Sequence, residues 1–176
     1  MSEKDLPLRL LKRFLELENL LEKKTSLKLQ KIAPYLFLLS SSKKVQRKNE
    51  GEKLIDLSFF AAVHGNEIGG IAVLNRILEE ILSADLSFVG TLAFGIGNPE
   101  AVKKNVRFTV RDLNRSFGLK EKIDVYEAKR ASELEKVLSK THRFLDLHQT
   151  IQASLEPFFI FPYTKESFLF AYHLNK

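Results

Sequence analysis

The 176-residue sequence contains no cysteine, which excludes disulfide bonds and thiolate metal ligands. Any metal site must therefore be built from His, Asp and Glu. No apolar run approaches the roughly 18 residues of a membrane span, and no N-terminal segment has the apolar core of a signal peptide. We therefore expect a cytoplasmic protein without a membrane partner. Hydrophobic residues make up 44% of the sequence, which predicts a folded domain with a sizeable core.

An excess of positive charge is missing from the last two thirds of the chain. Residues 1–53 hold 13 Lys and Arg against 7 Asp and Glu, whereas residues 54–176 hold 15 of each. A nucleic-acid-binding protein is expected to carry a basic stripe through its folded domain. We therefore interpret residues 1–50 as a basic N-terminal extension and expect no nucleic-acid partner. Nucleic-acid binding through residues 1–53 is the weaker alternative.

The extension contains one clear periodic pattern. Leucine and phenylalanine recur every three or four residues over 5–24, which predicts an amphipathic helix. Its polar face carries charges of both signs, which favours packing against the domain over binding to a membrane surface. Short strands are predicted at 27–32 and 34–39, followed by a basic loop at 40–52.

The rest of the chain alternates between strand and helix patterns. Strands are predicted at 54–63, 87–96, 143–148 and 156–162, and helices at 67–82, 122–140 and 164–174. Residues 100–120 are polar and lack a clear period, and a long irregular segment inside a compact domain is usually functional. This alternation predicts an α/β fold with a mixed, largely parallel sheet.

Two of the predicted strands end in a histidine. His64 follows an apolar run and is followed three residues later by Glu67, while His148 ends the short strand that also carries Asp146. Open α/β sheets place their chemistry at the carboxyl ends of strands. Two imidazoles and a carboxylate suit zinc, with water in the fourth position. His-x-x-Glu alone is a common pattern, but the second strand-end histidine strengthens the zinc hypothesis. Asp146 lies on the same strand face as His148 and is expected to orient its imidazole.

Arginines are concentrated in the irregular segment between these histidines. The segment carries Arg107, Arg111, Asn114 and Arg115. The planar guanidinium fork matches a carboxylate or a developing oxyanion, and an asparagine adds a neutral donor. A surface ion pair is the ordinary role of any single arginine, so the interpretation rests on the group.

Four strings occur in order along the chain: HGNE, NPEAVKKNVR, DLNRSF and DLHQT. Together they resemble the succinylglutamate desuccinylase/aspartoacylase family of zinc carboxypeptidase-like hydrolases, over about residues 54–162. The resemblance implies an α/β/α sandwich around a mixed sheet. It identifies residues 51–176 as the N-terminal part of a zinc hydrolase catalytic domain.

The resemblance also implies roles for particular residues. His64, Glu67 and His148 would bind one zinc ion, Arg107 would polarise the scissile carbonyl, and Asn114 and Arg115 would hold the substrate carboxylate. Members of the family cleave the amide bond between an acyl group and an amino acid through a zinc-activated water. The expected partner is a small anionic substrate.

One part of the family pattern has no counterpart in this sequence. The family's general base is a glutamate on a later strand, well beyond the third zinc ligand. Glu156 and Glu166 are the only acidic residues after His148, and neither lies in a matching motif. We therefore expect the chain as given to lack this base and the last strands of the sandwich. A non-catalytic zinc- or carboxylate-binding module and a carboxypeptidase-like peptidase remain alternatives.

Overall fold

The computed structural model of the protein describes residues 5–42, 54–119, 124–150, 156 and 158–174. The strands are β1 Leu27–Ala33, β2 Leu36–Ser41, β3 Ile55–Ala61, β4 Thr91–Ile96 and β5 Thr141–Leu147. The helices are α1 Leu6–Glu22, α2 Gly69–Ser83, α3 Pro99–Lys104, α4 Tyr126–Leu138 and α5 Lys165–Leu174, and a 3₁₀ helix spans Leu113–Arg115. Among the described residues, no helix combines the length and the apolar composition of a membrane span.

The five strands form one mixed sheet in the order β1-β2-β4-β3-β5. β3 pairs in parallel with both β4 and β5, whereas β2 is antiparallel to both β1 and β4. Four of the five strands therefore run in the same direction, as the alternating pattern predicts. The connection after β3 leads to β4 on one side, and the connection after β4 leads to β5 on the other. β3 thus lies where the strand order reverses, the point at which open α/β sheets bind ligands.

Helices cover both faces of the sheet, which confirms the predicted α/β/α arrangement. On one face α1 and α2 bury leucines against the sheet, where Phe14, Phe37 and Phe94 pack with ring centroids 5.5–5.6 Å apart. On the other face α4 contributes Leu134 and Val137 to a second cluster. Aromatic pairs of this kind contribute about 0.5–1.5 kcal/mol each beyond the area that they bury.

The N-terminal residues belong to the same sheet and core as the rest of the protein. The helix predicted over 5–24 is α1, and it packs on α2, where Arg13 forms a 2.8 Å ion pair with Glu79. β1 and β2 extend the sheet beside β4. The boundary that we place between residues 50 and 51 lies outside the described residues, as does most of the basic loop at 40–52.

The strand predicted at 156–162 is not observed. Residues 158–164 have no regular secondary structure, and Phe158, Phe159 and Ile160 are exposed. An apolar run forms a strand only where a neighbour accepts its backbone hydrogen bonds, and no described strand pairs with this one. The prediction of a strand here is therefore wrong for the described part of the run.

Candidate metal centre

His64 lies just beyond β3, in a turn that packs tightly against α3. The Glu67 backbone N–H donates to the His64 carbonyl oxygen at 3.0 Å, and the Gly65 N–H donates to the Arg107 carbonyl oxygen at 3.0 Å. A Cβ atom at Gly65 would lie only 2.2 Å from the carbonyl carbon of Ala101. Glycine is therefore required for this close approach, which leaves His64 only 5% exposed.

Glu67 lies two residues before α2, whose first residues are two glycines. A Cβ atom at Gly70 would lie 2.9 Å from Leu147, the last residue of β5, so this glycine lets α2 approach the strand closely. The Gly69 N–H donates to the side-chain oxygen of Gln149 at 2.7 Å, and the Gln149 N–H donates to Glu67 Oε2 at 3.0 Å. The glycine pair thus brings Glu67 against the end of β5.

These two turns bring His64, Glu67 and His148 together, as predicted from the sequence. His64 Nδ1 lies 2.8 Å from Glu67 Oε1, and His148 Nδ1 lies 2.9 Å from Glu67 Oε2. One potential ligand atom of each residue lies within 4.8 Å of the other two. The two imidazole rings are 5.3 Å apart between centroids. The cluster therefore presents two nitrogens and a carboxylate to one point.

Each histidine has an aspartate near its other ring nitrogen. Asp146 Oδ2 lies 2.7 Å from His148 Nε2, as predicted, and Asp112 Oδ1 lies 3.4 Å from His64 Nε2. A carboxylate behind an imidazole fixes its orientation and makes its nitrogen a better metal ligand. Asp112 is not among the site residues predicted from the sequence. The available signal was the Asp-x-Asn spacing, since Asp112 caps the 3₁₀ helix by accepting from the Asn114 N–H at 2.9 Å.

Two of the three predicted substrate-binding residues lie beside the cluster. Arg107 Nη2 is 2.9 Å and Asn114 Nδ2 is 3.3 Å from His64 Nε2. Both groups are hydrogen-bond donors, and the Asp112 carboxylate lies near the same nitrogen. Arg115 is exposed, and none of the contacts among the described residues joins its guanidinium to the cluster. The structure thus brings together Arg107 and Asn114 but not Arg115.

The cluster shifts the pKa of two of its members. Burial raises the pKa of Glu67, but hydrogen bonds from the Gln149 backbone and the two imidazoles outweigh it and hold that pKa below its ordinary value. The hydrogen bond to Asp146 raises the pKa of His148 to about 9, against the opposing effect of partial burial. Glu67 is therefore an anion at neutral pH, as a metal ligand must be.

Residues 53–175 match the family model of the succinylglutamate desuccinylase/aspartoacylase catalytic domain. The chain belongs to this family. The resemblance drawn from the four sequence motifs is therefore confirmed.

Sequence relatives and solved structures agree with this assignment. Succinylglutamate desuccinylases from Pseudomonas fluorescens Pf0-1 and Pseudomonas aeruginosa LESB58 are 37% and 36% identical over 118 and 120 residues. The first match covers 62% of this chain and 35% of the relative, and the second covers 63% and 36%. The chain thus spans about a third of the length of the curated relatives that it matches.

Two solved structures share the fold. The succinylglutamate desuccinylase from Chromobacterium violaceum aligns with a TM-score of 0.60 and 24% identity, over 81% of this chain and 48% of that one. The enzyme of the same name from Vibrio parahaemolyticus aligns with a TM-score of 0.58 and 20% identity, over 79% and 45%. The described sheet with its helices is therefore a part of the desuccinylase fold.

Two acidic residues, Glu156 and Glu166, follow His148 in this desuccinylase/aspartoacylase-family chain. Glu166 is on α5 and lines a surface cavity of about 370 Å³ with Arg143 and His173. Neither Glu166 nor Glu156 belongs to the group of His64, Glu67 and His148. The structure therefore offers neither acid as a member of the centre.

Proposed function

We propose that this protein is a zinc-dependent hydrolase of the desuccinylase/aspartoacylase type, which cleaves the amide bond of an N-acyl amino acid. The observation that carries the proposal is the convergence of His64, Glu67 and His148 at the end of β3, with Arg107 beside them. Each of the three offers a ligand atom within 4.8 Å of the others. The three ligands would hold a single zinc ion, and Arg107 would face a small anionic substrate bound beside it.

The donor set suits zinc on chemical grounds. Two imidazole nitrogens and one carboxylate, without cysteine, form a common protein ligand set of catalytic zinc sites. Both Nδ1 atoms face the Glu67 carboxylate, while both Nε2 atoms face an aspartate. Zinc, when bound, supplies Lewis acidity and makes water a nucleophile near neutral pH. Asp112 and Asp146 would hold the imidazoles in orientation for this task.

Arg107 is the residue that we assign to the substrate carbonyl. Its guanidinium lies beside the cluster, 2.9 Å from His64 and 3.9 Å from Glu67, and its side chain is 46% exposed. A group in this position is accessible to a ligand and stabilises negative charge that develops on an oxygen at the cluster. The fixed positive charge of arginine suits this role, because arginine does not lose its proton in proteins.

Asn114 and Arg115 are assigned to the substrate carboxylate. Asn114 Nδ2 lies 3.3 Å from His64 Nε2, whereas no contact among the described residues joins the exposed Arg115 guanidinium to the cluster. Arg115 is nevertheless the next residue of the same 3₁₀ helix, so a carboxylate bound by Asn114 lies within reach of a long, exposed side chain. Neither Glu156 nor Glu166 is assigned as the general base.

The proposal is tested by titrating zinc and then N-acyl amino acids into the chain. Calorimetry should give one zinc equivalent, and the zinc-loaded chain should bind N-succinyl-L-glutamate or N-acetyl-L-aspartate more tightly than free glutamate or aspartate. Arg107→Ala should weaken that binding, and release of the free amino acid is then followed by chromatography. Absence of zinc binding, or a zinc-loaded chain that binds no N-acyl amino acid, would contradict the proposal.

A non-catalytic zinc- and carboxylate-binding module is the second candidate. It is favoured by the position of Glu156 and Glu166 outside the cluster, because hydrolysis needs a group that moves a proton to the leaving amine. The same titrations separate the two functions. Tight zinc-dependent binding without release of the amino acid would support the module.

A further inference from the structure

Glu127 is a buried carboxylate that the proposed function does not use. It lies in the first turn of α4 and is 0% exposed. Its Oε1 atom accepts from the Thr109 N–H at 2.7 Å, the Thr109 hydroxyl at 2.5 Å and the Val110 N–H at 3.3 Å. It also accepts from Asn98 Nδ2 at 3.3 Å. A single oxygen thus binds one segment of the chain through three donors.

The segment that Glu127 binds carries Arg107, which we assign to the substrate carbonyl. Residues 106–112 contain no helix or strand; Arg107 is the second residue of this segment and Asp112 is its last. Apolar packing does little to hold this segment, since Val106 and Val110 are 38% and 65% exposed. Backbone hydrogen bonds hold its start, including that from Gly65 to Arg107, and the N–H groups of Asn114 and Arg115 hold its end by donating to Asp112. Glu127 therefore supplies the main side-chain anchor of its middle.

The helix that carries Glu127 is itself firmly placed. Leu134 and Val137 are buried in the core, and the Arg130 guanidinium donates to the carbonyl oxygens of Gly97 and Ile96 at the end of β4. A carboxylate near a helix N-terminus is also favoured by the helix dipole. α4 thus connects the segment to the sheet that positions the histidines.

Stabilisation of the fold alone does not explain a buried carboxylate at this position. Removing a carboxylate from water is energetically costly, and none of the ion pairs among the described residues involves Glu127. Its second oxygen, Oε2, is buried and has no hydrogen-bond partner among the described residues. Charge-assisted hydrogen bonds are about twice as strong as neutral ones, so the carboxylate holds the segment more rigidly than a neutral acceptor would.

We infer that Glu127 is a positioning residue, which acts through its hydrogen bonds to Thr109 and Val110, here called the clamp, to hold Arg107 at the metal centre. The inference rests on the proposed function, which assigns Arg107 to the substrate. It predicts that loss of the clamp weakens anion binding more than zinc binding, because none of the three zinc ligands lies on the 106–112 segment and Asp112 is held separately by the 3₁₀ helix that it caps.

The test combines three variants and two measurements on the full chain. Glu127→Ala removes the acceptor, Glu127→Gln keeps an uncharged acceptor oxygen, and Thr109→Val removes only the hydroxyl donor. Leu134→Ala is the matched control, because it destabilises the same helix from a fully buried core position and leaves the Glu127 carboxylate in place. Amide hydrogen exchange of Thr109 and Val110 by NMR reports the clamp without any ligand. Calorimetric titration of zinc, and of N-succinyl-L-glutamate into the zinc-loaded chain, reports the centre.

Glu127→Ala should raise exchange at both amides by at least about 10-fold and weaken N-succinyl-L-glutamate binding by about 10–100-fold, with zinc affinity changed by less than about threefold. Glu127→Gln should recover part of both losses, Thr109→Val should give a smaller loss in the same direction, and Leu134→Ala should change neither. Unchanged exchange at both amides, or zinc affinity that falls as far as anion affinity, would overturn the inference. Where Glu127→Ala does not fold, Thr109→Val decides by the same criteria. If the wild-type chain binds no N-acyl amino acid, the proposed function fails, and the amide exchange alone decides whether the clamp exists.

Discussion

Gly65 is the position where the structure makes its sharpest prediction about a single methyl group. In Gly65→Ala, the new Cβ atom would lie 2.2 Å from the carbonyl carbon of Ala101 and 2.4 Å from the amide nitrogen of Val102. Ordinary carbon contacts are about 3.5–4.0 Å, so the turn or α3 must move by roughly 1 Å. Overpacking costs about 1–3 kcal/mol, and the obstacle here is backbone, so we expect the upper end of that range.

The same displacement should disturb the centre, because His64 is the preceding residue. Metal ligands tolerate only about 0.2 Å of misplacement, so zinc affinity should fall by at least about 10-fold. Urea unfolding followed by circular dichroism should show a midpoint about 1–3 M lower, and competition with a fluorescent chelator gives the zinc affinity.

Gly118→Ala is the matched control for this prediction. Gly118 has a φ of +68° with nothing within 4 Å of a built Cβ, so alanine there costs about 1–2 kcal/mol of backbone strain and leaves the centre alone. It should lower the urea midpoint without changing zinc affinity. A Gly65→Ala variant that unfolds like wild type, or that loses no more zinc affinity than Gly118→Ala, would refute the reasoning.

Three further predictions concern the groups around the centre. Asp112→Asn and Asp146→Asn should each weaken zinc binding by about 10–100-fold, as measured by chelator competition. Wild-type zinc affinity in both variants would show that the aspartates do not support the imidazoles. Arg115→Lys should fail to restore the N-acyl amino acid binding that Arg115→Ala loses, because lysine lacks the planar fork; full recovery in calorimetry would contradict the assignment. Burial raises the pKa of Glu127, but hydrogen bonds from Thr109 and Val110 outweigh it and hold that pKa below its ordinary value. The stability difference between wild type and Glu127→Gln should therefore be present above about pH 4.5 and should disappear as the pH falls through the lowered pKa; a difference that grows on acidification would contradict this sign.

Except for α3, the 3₁₀ helix and the strand wrongly predicted at 156–162, the elements and the ligand set of the centre follow from local sequence pattern. Apolar runs that end abruptly at His64 and at His148 predict strand ends, and β3 and β5 are parallel neighbours, so the two ends meet at one edge of the sheet. The two-residue spacing of Asp146 and His148 likewise predicts their 2.7 Å contact, because alternate strand residues share a face.

Other features depend on tertiary contacts that no local pattern encodes. The apolar period of the helix predicted at 122–140 places Val125 and Ala128 on its inward face. The structure instead buries Glu127 and Arg130 more deeply than either of them. These charged groups are tolerated inside because the loops after β4 and at 106–112 supply their partners. The antiparallel position of β2 beside β4 and the approach of Asp112 to His64 also arise only when distant segments pack.

The most direct test of the central claim is an anomalous diffraction map of the zinc-loaded chain, recorded at the zinc absorption edge. We predict one strong peak at the end of β3, about 2.0–2.2 Å from a nitrogen of His64, an oxygen of Glu67 and a nitrogen of His148. A map without a peak at this position, or with a peak bound to other residues instead, would contradict the account.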